Sequence, residues 1–283
     1  MTIAFDAHRF KTAAQHYVQG RLSYPSSLIE RVVSLAELRS YHRVLDLGCG
    51  PGFLATAFAP HVREVVGIDP EPAMLEQAVF YAAERGVQAK FLQGSSYELG
   101  DHLGRFQLVT MGRSFHWMDR SATLEALSRL VAEDGAVALF GDSHLEVAAN
   151  SWRKRFQSIL TPFAEKDPAH GERRGNPAWL PHEAVLLDSK FNHLQRISVV
   201  QQIETPIERL LDRALSMSTT SPQRLGSEQE RLLETLRAAL TDEATNGVIV
   251  EVVESEALLA FRRNPAVGIS HTANTEARGR NTS

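Results

Sequence analysis

The chain has 283 residues and a net charge of −4 at pH 7, since 30 lysine and arginine residues face 34 aspartate and glutamate residues. This length fits one large domain with an appendage, and the balanced charge argues against nucleic-acid binding. Cys49 is the single cysteine, which excludes a disulfide framework and favours a reducing cytoplasm. No signal peptide is evident, and no apolar run approaches the roughly 20 residues that span a bilayer.

Residues 1–42 precede the first predicted strand and form a predicted N-terminal arm. Apolar residues recur at helical spacing in its second half, at Leu28, Ile29, Val32, Val33 and Leu35. The first half carries aromatic and basic residues, among them Tyr17, Arg21 and Tyr24.

The stretch Val44–Phe53 is the most informative part of the chain. A short apolar run containing Asp46 ends in three glycines at alternate positions, Gly48, Gly50 and Gly52. This pattern predicts a buried strand, a tight turn and the start of a helix, with a backbone that a ligand can approach closely. Phe53 stands where the dinucleotide fingerprint would have its last glycine, which argues against a dinucleotide-dependent oxidoreductase.

A second predicted strand, Glu64–Asp69, ends in a carboxylate. The number of residues between the first glycine of the turn and Asp69 places this carboxylate at the end of the neighbouring strand. A carboxylate at that position can accept hydrogen bonds from both hydroxyls of a ribose. Pro70 and Pro72 then introduce a helix whose apolar face includes Met74.

The remaining elements alternate in the order of a doubly wound α/β fold. We predict strands at 89–92, 106–111 and 136–140, helices at 121–131 and 152–163, and a polar, broken run at 166–181. A strand at 191–203 follows, then helices opened by capping boxes at Thr205–Glu208 and Ser227–Glu230. The last strand begins at Val248 and extends at least to Val253.

The glycine stretch with Asp69 resembles motif I and its successor in class I S-adenosylmethionine (SAM) dependent methyltransferases. The arm and the run Gly112–Arg120 resemble the small-molecule enzymes of that group, such as the ubiquinone/menaquinone and trans-aconitate methyltransferases. This resemblance implies a Rossmann-like seven-stranded sheet of order 3-2-1-4-5-7-6 with helices on both faces. The expected organisation is an arm or lid (1–42), a SAM-binding core (43–142), an insertion or cap (143–190), a C-terminal part (191–265) and a disordered tail (266–283).

The resemblance also implies the cofactor, SAM, with S-adenosylhomocysteine (SAH) as product. An arginine of the arm is suited to pair with the cofactor's carboxylate, and apolar side chains pack against adenine in such relatives. Relatives often have an acid where this chain has Ser95. The implied cofactor-binding residues are Tyr17, Arg21, Asp46, Gly48, Cys49, Gly50, Gly52, Asp69, Pro70, Met74, Gly94, Ser95, Ser96, Gly112 and Ser114.

The acceptor side is expected after the fourth strand, because ligands of open α/β sheets bind beyond the carboxyl ends of the strands. Tyr24, Phe115, His116 and Trp117 are the expected substrate-binding residues. His116 and Tyr17 are the candidate catalytic residues, and histidine suits a general base because its pKa lies near neutrality. A histidine that caps the next helix remains the alternative interpretation.

The predicted function is transfer of a methyl group from SAM to an O, N or C atom of a small molecule. A non-catalytic SAM-binding module and a dinucleotide-binding oxidoreductase remain the alternatives. No histidine spacing typical of a metal site is present, so no metal is expected. Nucleic-acid and membrane partners are not expected either, and the chain is expected to be a monomer or a homodimer.

Overall fold

The structure is a computed structural model that describes residues 6–167, 169 and 178–262. A seven-stranded sheet has the order β3-β2-β1-β4-β5-β7-β6, which confirms the predicted topology. The first five strands are parallel to their neighbours, and β7 runs antiparallel to both β5 and β6. The strands are β1 (Arg43–Leu47), β2 (Glu64–Asp69), β3 (Lys90–Gln93), β4 (Phe106–Gly112), β5 (Val131–His144), β6 (His193–Pro206) and β7 (Val248–Phe261).

Helices lie between most of these strands, although only 3₁₀ turns separate β3 from β4. They are α1 (Ala14–Gly20), α2 (Ser26–Leu35), α3 (Phe53–Phe58), α4 (Pro72–Glu84), α5 (Arg120–Leu130), α6 (Trp152–Glu165), α7 (His182–Leu187), α8 (Ile207–Leu215), α9 (Pro222–Leu225) and α10 (Gln229–Thr241). The tail predicted for 266–283, and much of the polar run before α7, lie outside the described residues.

Alternate side chains of the strands point to opposite faces of the sheet and contribute to two apolar cores, one on each face. On one face Leu45 and Leu47 pack with Leu124 and Leu127 of α5. On the other face Val44 packs with α2 and α3. Strands buried on both faces are typical of a parallel sheet between helical layers, and here they fix the loops at the carboxyl ends of the strands.

A third apolar cluster joins the C-terminal helices. Leu210 and Leu211 of α8 pack with Phe156 of α6 and Leu236 of α10. The helix α6, which belongs to the predicted insertion, therefore packs with the C-terminal part of the chain. The segment of the insertion from Trp179 to α7 instead packs beside the loop after β4, where the His182 ring lies 5.1 Å from that of Phe115.

The two predicted capping boxes are wrong. Thr205 is still in β6, and its hydroxyl donates to the buried Glu251 at 2.5 Å, so it is not available to cap α8. Ser227 lies in a short 3₁₀ turn, and α10 begins at Gln229 without a side-chain cap. Both patterns matched the motif, but each helix begins one residue later than the capping box predicts.

Strands β5, β6 and β7 also have bounds different from those expected. β5 extends from Val131 to His144 because it pairs with β4 at its start and with β7 over its second half. β6 and β7 form a continuous fourteen-residue antiparallel ladder. No helix among the described residues has both the length and the apolarity that crossing a bilayer requires.

Candidate functional site

A cleft of about 850 Å³ opens at the carboxyl ends of β1, β2 and β4. Its walls come from the arm, the glycine turn, the end of β2, the loop after β3 and the loop after β4. The lining residues are Asp6, Ala7, Arg9, Phe10, Tyr17, Leu47, Gly48, Gly50, Asp69, Pro70, Glu71, Met74, Gly94, Ser95, Ser96, Gly112, Arg113, Ser114, Trp117 and Met118.

The glycine turn forms the floor of the cleft. Gly48, Gly50 and Gly52 all have positive φ angles, of 67°, 52° and 78°. A Cβ atom on Gly48 would lie 2.6 Å from the Cβ of Ser114, so only glycine allows the loop after β4 to approach. The N–H groups of Gly48 and Cys49 donate to the carbonyl of Ile68, which ties the turn to β2.

Asp69 lies at the end of β2, as expected, and only 8% of its surface is exposed. Its carboxylate accepts hydrogen bonds from the N–H groups of Gly50 (2.8 Å) and Glu71 (3.0 Å). Two acceptor positions of the carboxylate remain for a ligand. Burial raises the pKa of Asp69 to about 6, against the effect of the two backbone donors.

Asp46 lies beneath the turn and is 1% exposed. It accepts hydrogen bonds from the N–H of Ala55 (3.0 Å) and the hydroxyl of Thr110 (2.9 Å). Burial raises the pKa of this carboxyl group to about 7. Asp46, on the strand that precedes α3, thus caps the first turn of this helix.

The side of the cleft near β3 is formed by Pro70, Met74, Gly94, Ser95 and Ser96. Each of these residues was predicted from the sequence. The Ser95 hydroxyl, however, is engaged in a capping box of the following 3₁₀ turn, with Glu98 as its partner. Its backbone and the neighbouring glycine are therefore the better candidates for contacts with a flat ring.

Glu71 also lines the cleft, although it was not among the predicted site residues. Its carboxylate accepts from the N–H of Ala73 and therefore caps α4, and it contacts Nδ1 of His8 at 3.1 Å. An acid directly after Asp69 and Pro70 is the signal in the sequence that pointed to this position.

The N-terminal segment closes one side of the cleft. The Arg9 side chain forms an ion pair with Asp167, and its guanidinium lies 4.4 Å from the centre of the Trp117 ring. The Phe10 ring meets the same tryptophan edge-on at 5.7 Å. Arg9 and Phe10 therefore join the arm to the loop after β4, and neither was predicted as a site residue.

The loop after β4 contributes Gly112, Arg113, Ser114 and Trp117 to the lining. The Ser114 hydroxyl donates to the Leu47 carbonyl at 2.9 Å and so joins this loop to β1. His116 and Phe115 are not among the residues that line the cleft.

The two remaining predicted residues of this loop lie behind Trp117. Phe115 is 2% exposed and belongs to the core. The His116 ring lies 4.7 Å from the Trp117 ring and is stacked at 6.4 Å on His182.

A second, smaller cavity of about 300 Å³ continues from the deep end of the cleft. The cleft and this cavity share Tyr17, Gly48, Gly50, Gly112 and Arg113. The further lining residues of the cavity are Tyr24, Asp46, Cys49, Pro51, Phe53 and Leu54.

Arg21 lines neither cavity. Its Nε donates to the hydroxyl of Ser216 at 2.8 Å, and its guanidinium lies 5.4 Å from the centre of the Tyr17 ring. The arm is held on α8 by this bond and by the contact of His16 with Asp212 at 2.8 Å. Arg21 therefore supports the arm from behind Tyr17.

Two of the predicted cofactor-binding residues, Cys49 and Gly52, are part of the glycine turn. Cys49 is 7% exposed, and burial raises the pKa of its thiol well above the usual value, so it lines the small cavity as a neutral group. A Cβ on Gly52 would lie 3.1 Å from both Ala78 and Phe91, so this glycine allows α3 to pack against α4 and β3. Over the described ranges, His, Cys, Asp and Glu side chains form no group of three suited to a metal ion.

Residues 44–135 match the family model described as "Methyltransferase domain". The uncharacterized methyltransferase YcgJ of Bacillus subtilis is 31% identical over 132 residues, which are 46% of this chain and 52% of that protein. An uncharacterized methyltransferase of Mycobacterium tuberculosis is 28% identical over 215 residues, or 75% of this chain and 79% of the relative. The match thus spans about half of the length of YcgJ and most of the mycobacterial protein.

Solved structures share the fold. A SAM-dependent methyltransferase of Geobacter sulfurreducens, in complex with SAH, has a TM-score of 0.54 and 16% identity, covering 92% of this chain and all of that one. The crystal structure of YcgJ has a TM-score of 0.51 and 22% identity, covering 85% of this chain and all of YcgJ.

Proposed function

We propose that this chain is a class I SAM-dependent methyltransferase that transfers the methyl group of SAM to an oxygen, nitrogen or carbon atom of a small-molecule acceptor. One observation carries the proposal. The glycine turn and the end of β2 form a single hydrogen-bonded unit, in which Asp69 accepts from Gly50 and presents its remaining oxygen positions to the cleft.

The residues of the cleft fit this cofactor. The positive φ angles at Gly48 and Gly50 leave a floor without side chains, against which a ligand can lie closely. The Asp69 carboxylate is proposed to bind the ribose hydroxyls, and Met74, Pro70 and the loop at Gly94 to enclose the adenine. SAM supplies a methyl carbon that is activated by the adjacent sulfonium.

The protein is proposed to act mainly by positioning. Holding a nucleophile in line with a reactive carbon can supply up to about 7–11 kcal/mol of the barrier. Phe10 and Trp117 meet edge-on in the lining of the cleft, and Tyr17 also lines it. These aromatic rings are proposed to limit the access of water and to suit a small acceptor with a flat or apolar body.

His116 remains the proposed proton acceptor, with Tyr17 as the other candidate. His116 reaches the acceptor space only past Trp117, whereas Tyr17 lines both the cleft and the smaller cavity. Substitution of the proton acceptor should lower kcat, whereas substitution of the other residue should not, so variants at the two positions distinguish them.

The cellular location and the oligomeric state of the protein are also proposed. We propose that the enzyme functions in the cytoplasm, because its one thiol is buried and a reducing compartment suits it. We also propose a monomer or homodimer. The net charge of −4 supports the proposal that the chain does not bind nucleic acid. Light scattering on the purified protein measures the oligomeric state.

Calorimetric titration with SAM, SAH and NAD tests the cofactor. Binding of SAM and SAH, without binding of NAD, is the expected result, and binding of NAD alone would contradict the proposal. Incubation of a metabolite extract with methyl-labelled SAM then tests catalysis. A labelled small molecule supports the enzyme, whereas cofactor binding without any labelled product would favour a binding module.

A further inference from the structure

Strand β6 is the last strand of the sheet and has one long edge without a partner strand. It covers the 14 residues His193–Pro206 and pairs with β7 along its whole length. On its other side, no strand of the described residues pairs with it. An edge of this kind presents a row of backbone N–H and C=O groups, which a further strand can bind.

The backbone groups of every second residue of β6 point to this open edge. Just after the strand, the N–H of Ile207 donates to the carbonyl of Gly247, so the odd-numbered residues face β7. Val252 of β7 has its N–H and carbonyl on the β5 side, where both bind the side chain of Asn150. Because hydrogen-bonded and non-hydrogen-bonded pairs alternate along an antiparallel ladder, the even-numbered residues of β6 present their backbone groups to the outside.

The residues on this edge agree with the assignment. Pro206 is even-numbered and has no N–H, and proline in a strand is confined to positions that donate to no neighbouring strand. Val200, near the middle of the edge, has 52% of its surface exposed. From His193 to Glu204, no residue of β6 is fully buried. The described part of the chain therefore leaves the middle of this edge open.

The charged side chains along the edge are complementary to those of a second copy. With an antiparallel second copy and a two-fold axis at Val200, Arg196 of each copy lies opposite Glu204 of the other. Opposite charges in directly facing positions support a pairing, whereas like charges weaken it. Arg196 already forms ion pairs with Glu183 and Glu256 of its own chain, but half of its side-chain surface remains exposed.

Apolar side chains also meet in this register. Ile197 of each copy lies opposite Ile203 of the other, on the face of the sheet away from the charged pairs. The two Val200 side chains meet on the axis itself. Since exposed ion pairs contribute little free energy, the charges select the register, and the backbone and apolar contacts supply the affinity.

Neighbouring registers lack these pairs. An axis at Val199 would put Arg196 opposite Gln202, and an axis at Gln201 would put it opposite Pro206. Both registers allow the same kind of backbone ladder, because even-numbered residues still face each other. The side chains therefore favour the axis at Val200.

We propose that β6 is the interface of a homodimer, in which the β6 strands of two copies pair antiparallel around Val200 and join two seven-stranded sheets into one. The facing residues would exchange about ten backbone hydrogen bonds. No residue of β6 lines the cleft, so the interface is independent of the proposed function. The inference narrows the oligomeric state to a dimer and states which surface forms it.

The mass of the full chain in solution is the first test. Light scattering at micromolar concentration should give twice the mass of one chain, and a monomer would overturn the proposal. Val200→Lys places two ammonium groups together on the axis, and we expect it to weaken the dimer about 100-fold or more. Val79→Lys is the matched control, because Val79 is 58% exposed on α4, away from this edge, and this variant should remain a dimer.

A backbone variant tests the ladder itself. Ser198→Pro removes an N–H that points away from β7, so a single copy loses no strand hydrogen bond. We expect Ser198→Pro to be monomeric while it unfolds cooperatively, as circular dichroism would show. A dimer that persists in both Val200→Lys and Ser198→Pro would overturn the proposed interface.

Cross-linking tests the register without weakening the interface. In Val200→Cys the two new thiols face each other across the axis, and a short bis-maleimide should join them. In Gln202→Cys, on the same edge and face, the two thiols would be about 13 Å apart along the strands, beyond its reach. Cys49 is buried, so the wild type should stay uncross-linked.

Equal cross-linking at the two positions, or none at Val200→Cys, would overturn the pairing around Val200. Titration with SAH separates this inference from the proposed function. We expect Val200→Lys to bind SAH as tightly as the wild type does. A wild type that binds no SAH but passes the mass and cross-linking tests would contradict the proposed function alone.

Discussion

Gly20 at the end of α1 contacts the backbone of α8 directly, next to Arg213. The carbonyl of Gly20 accepts a hydrogen bond from Nε of Arg213 at 3.1 Å. A Cβ on Gly20 would lie 2.4 Å from the backbone nitrogen of Arg213, a distance that no side chain tolerates. Since Tyr17 belongs to the same helix, this contact sets where the arm meets the cleft.

Gly20→Ala should therefore move the arm off α8. We expect a lower melting temperature and faster proteolytic cleavage within residues 1–25 in the protein without cofactor. SAH should slow this cleavage in the wild type, because a bound ligand favours the closed arm. Gly141→Ala is the control, as the atom nearest to its added Cβ would be 3.8 Å away. Wild-type cleavage rates in Gly20→Ala would contradict this role.

Asp69→Ala should weaken the binding of SAH and of methylthioadenosine alike, because both ligands contain the ribose. The expected loss is about 1.5–3 kcal/mol, measured by calorimetric titration. The two backbone groups that Asp69 binds would also lose their acceptor, so some loss of thermal stability is expected. Unchanged affinity for both ligands would show that the ribose is held elsewhere.

Asp46→Asn should make stability less dependent on pH between about 4 and 7. An unfolded aspartate has a pKa of about 3.9, whereas burial raises the pKa of Asp46 to about 7. The folded state therefore binds more protons in this range, and the contribution of this group to stability falls as pH rises. Asparagine does not titrate, and its amide oxygen can still accept from Ala55.

The difference in melting temperature between Asp46→Asn and the wild type should thus grow in favour of the variant from pH 4 to pH 8. Asp69, whose pKa is raised to about 6, changes stability in the same direction in both proteins, so its contribution cancels from this difference. Melting curves at several pH values measure this difference. A difference independent of pH would show that Asp46 stays ionised in the folded protein.

His116→Gln should lower kcat by roughly 10²–10⁴ at neutral pH if His116 accepts the proton, with a changed pH profile. The affinity for SAH should stay the same, because His116 does not line the cleft. Tyr17→Phe, tested in the same assay, separates the two candidates. A normal kcat in His116→Gln together with a reduced kcat in Tyr17→Phe would assign the proton transfer to Tyr17.

The sequence predicted the glycine turn because it depends on local patterns, whereas the sheet order was implied by the family resemblance. Apolar runs, alternate glycines and an acid at a strand end are properties of short segments, and the family resemblance placed them in one known topology. Among the fifteen residues predicted to bind the cofactor, most line the cleft or the small cavity, and their roles remain predictions.

The differences arise from contacts between distant parts of the chain. Arg21 fits a carboxylate by its position in the arm, but its partner Ser216 is 195 residues away. Thr205 fits a capping box, but Glu251 takes its hydroxyl because β6 pairs with β7. Arg113 was missed because an arginine in a loop after a strand usually points to solvent. Its place directly after Gly112, in a loop expected to face a ligand, was the available signal.

The docking of the arm on α8 also constrains the order in which the molecule is assembled during synthesis. The glycine turn is complete once β1, β2 and β4 have paired, within the first half of the chain. The arm is synthesised first but packs on α8, because Gly20 accepts its hydrogen bond from Arg213, which lies 193 residues later in the chain. A nascent chain that has folded only through β5 would still lack this support, so the arm can take its final position only after α8, in the last third of the sequence, has been made.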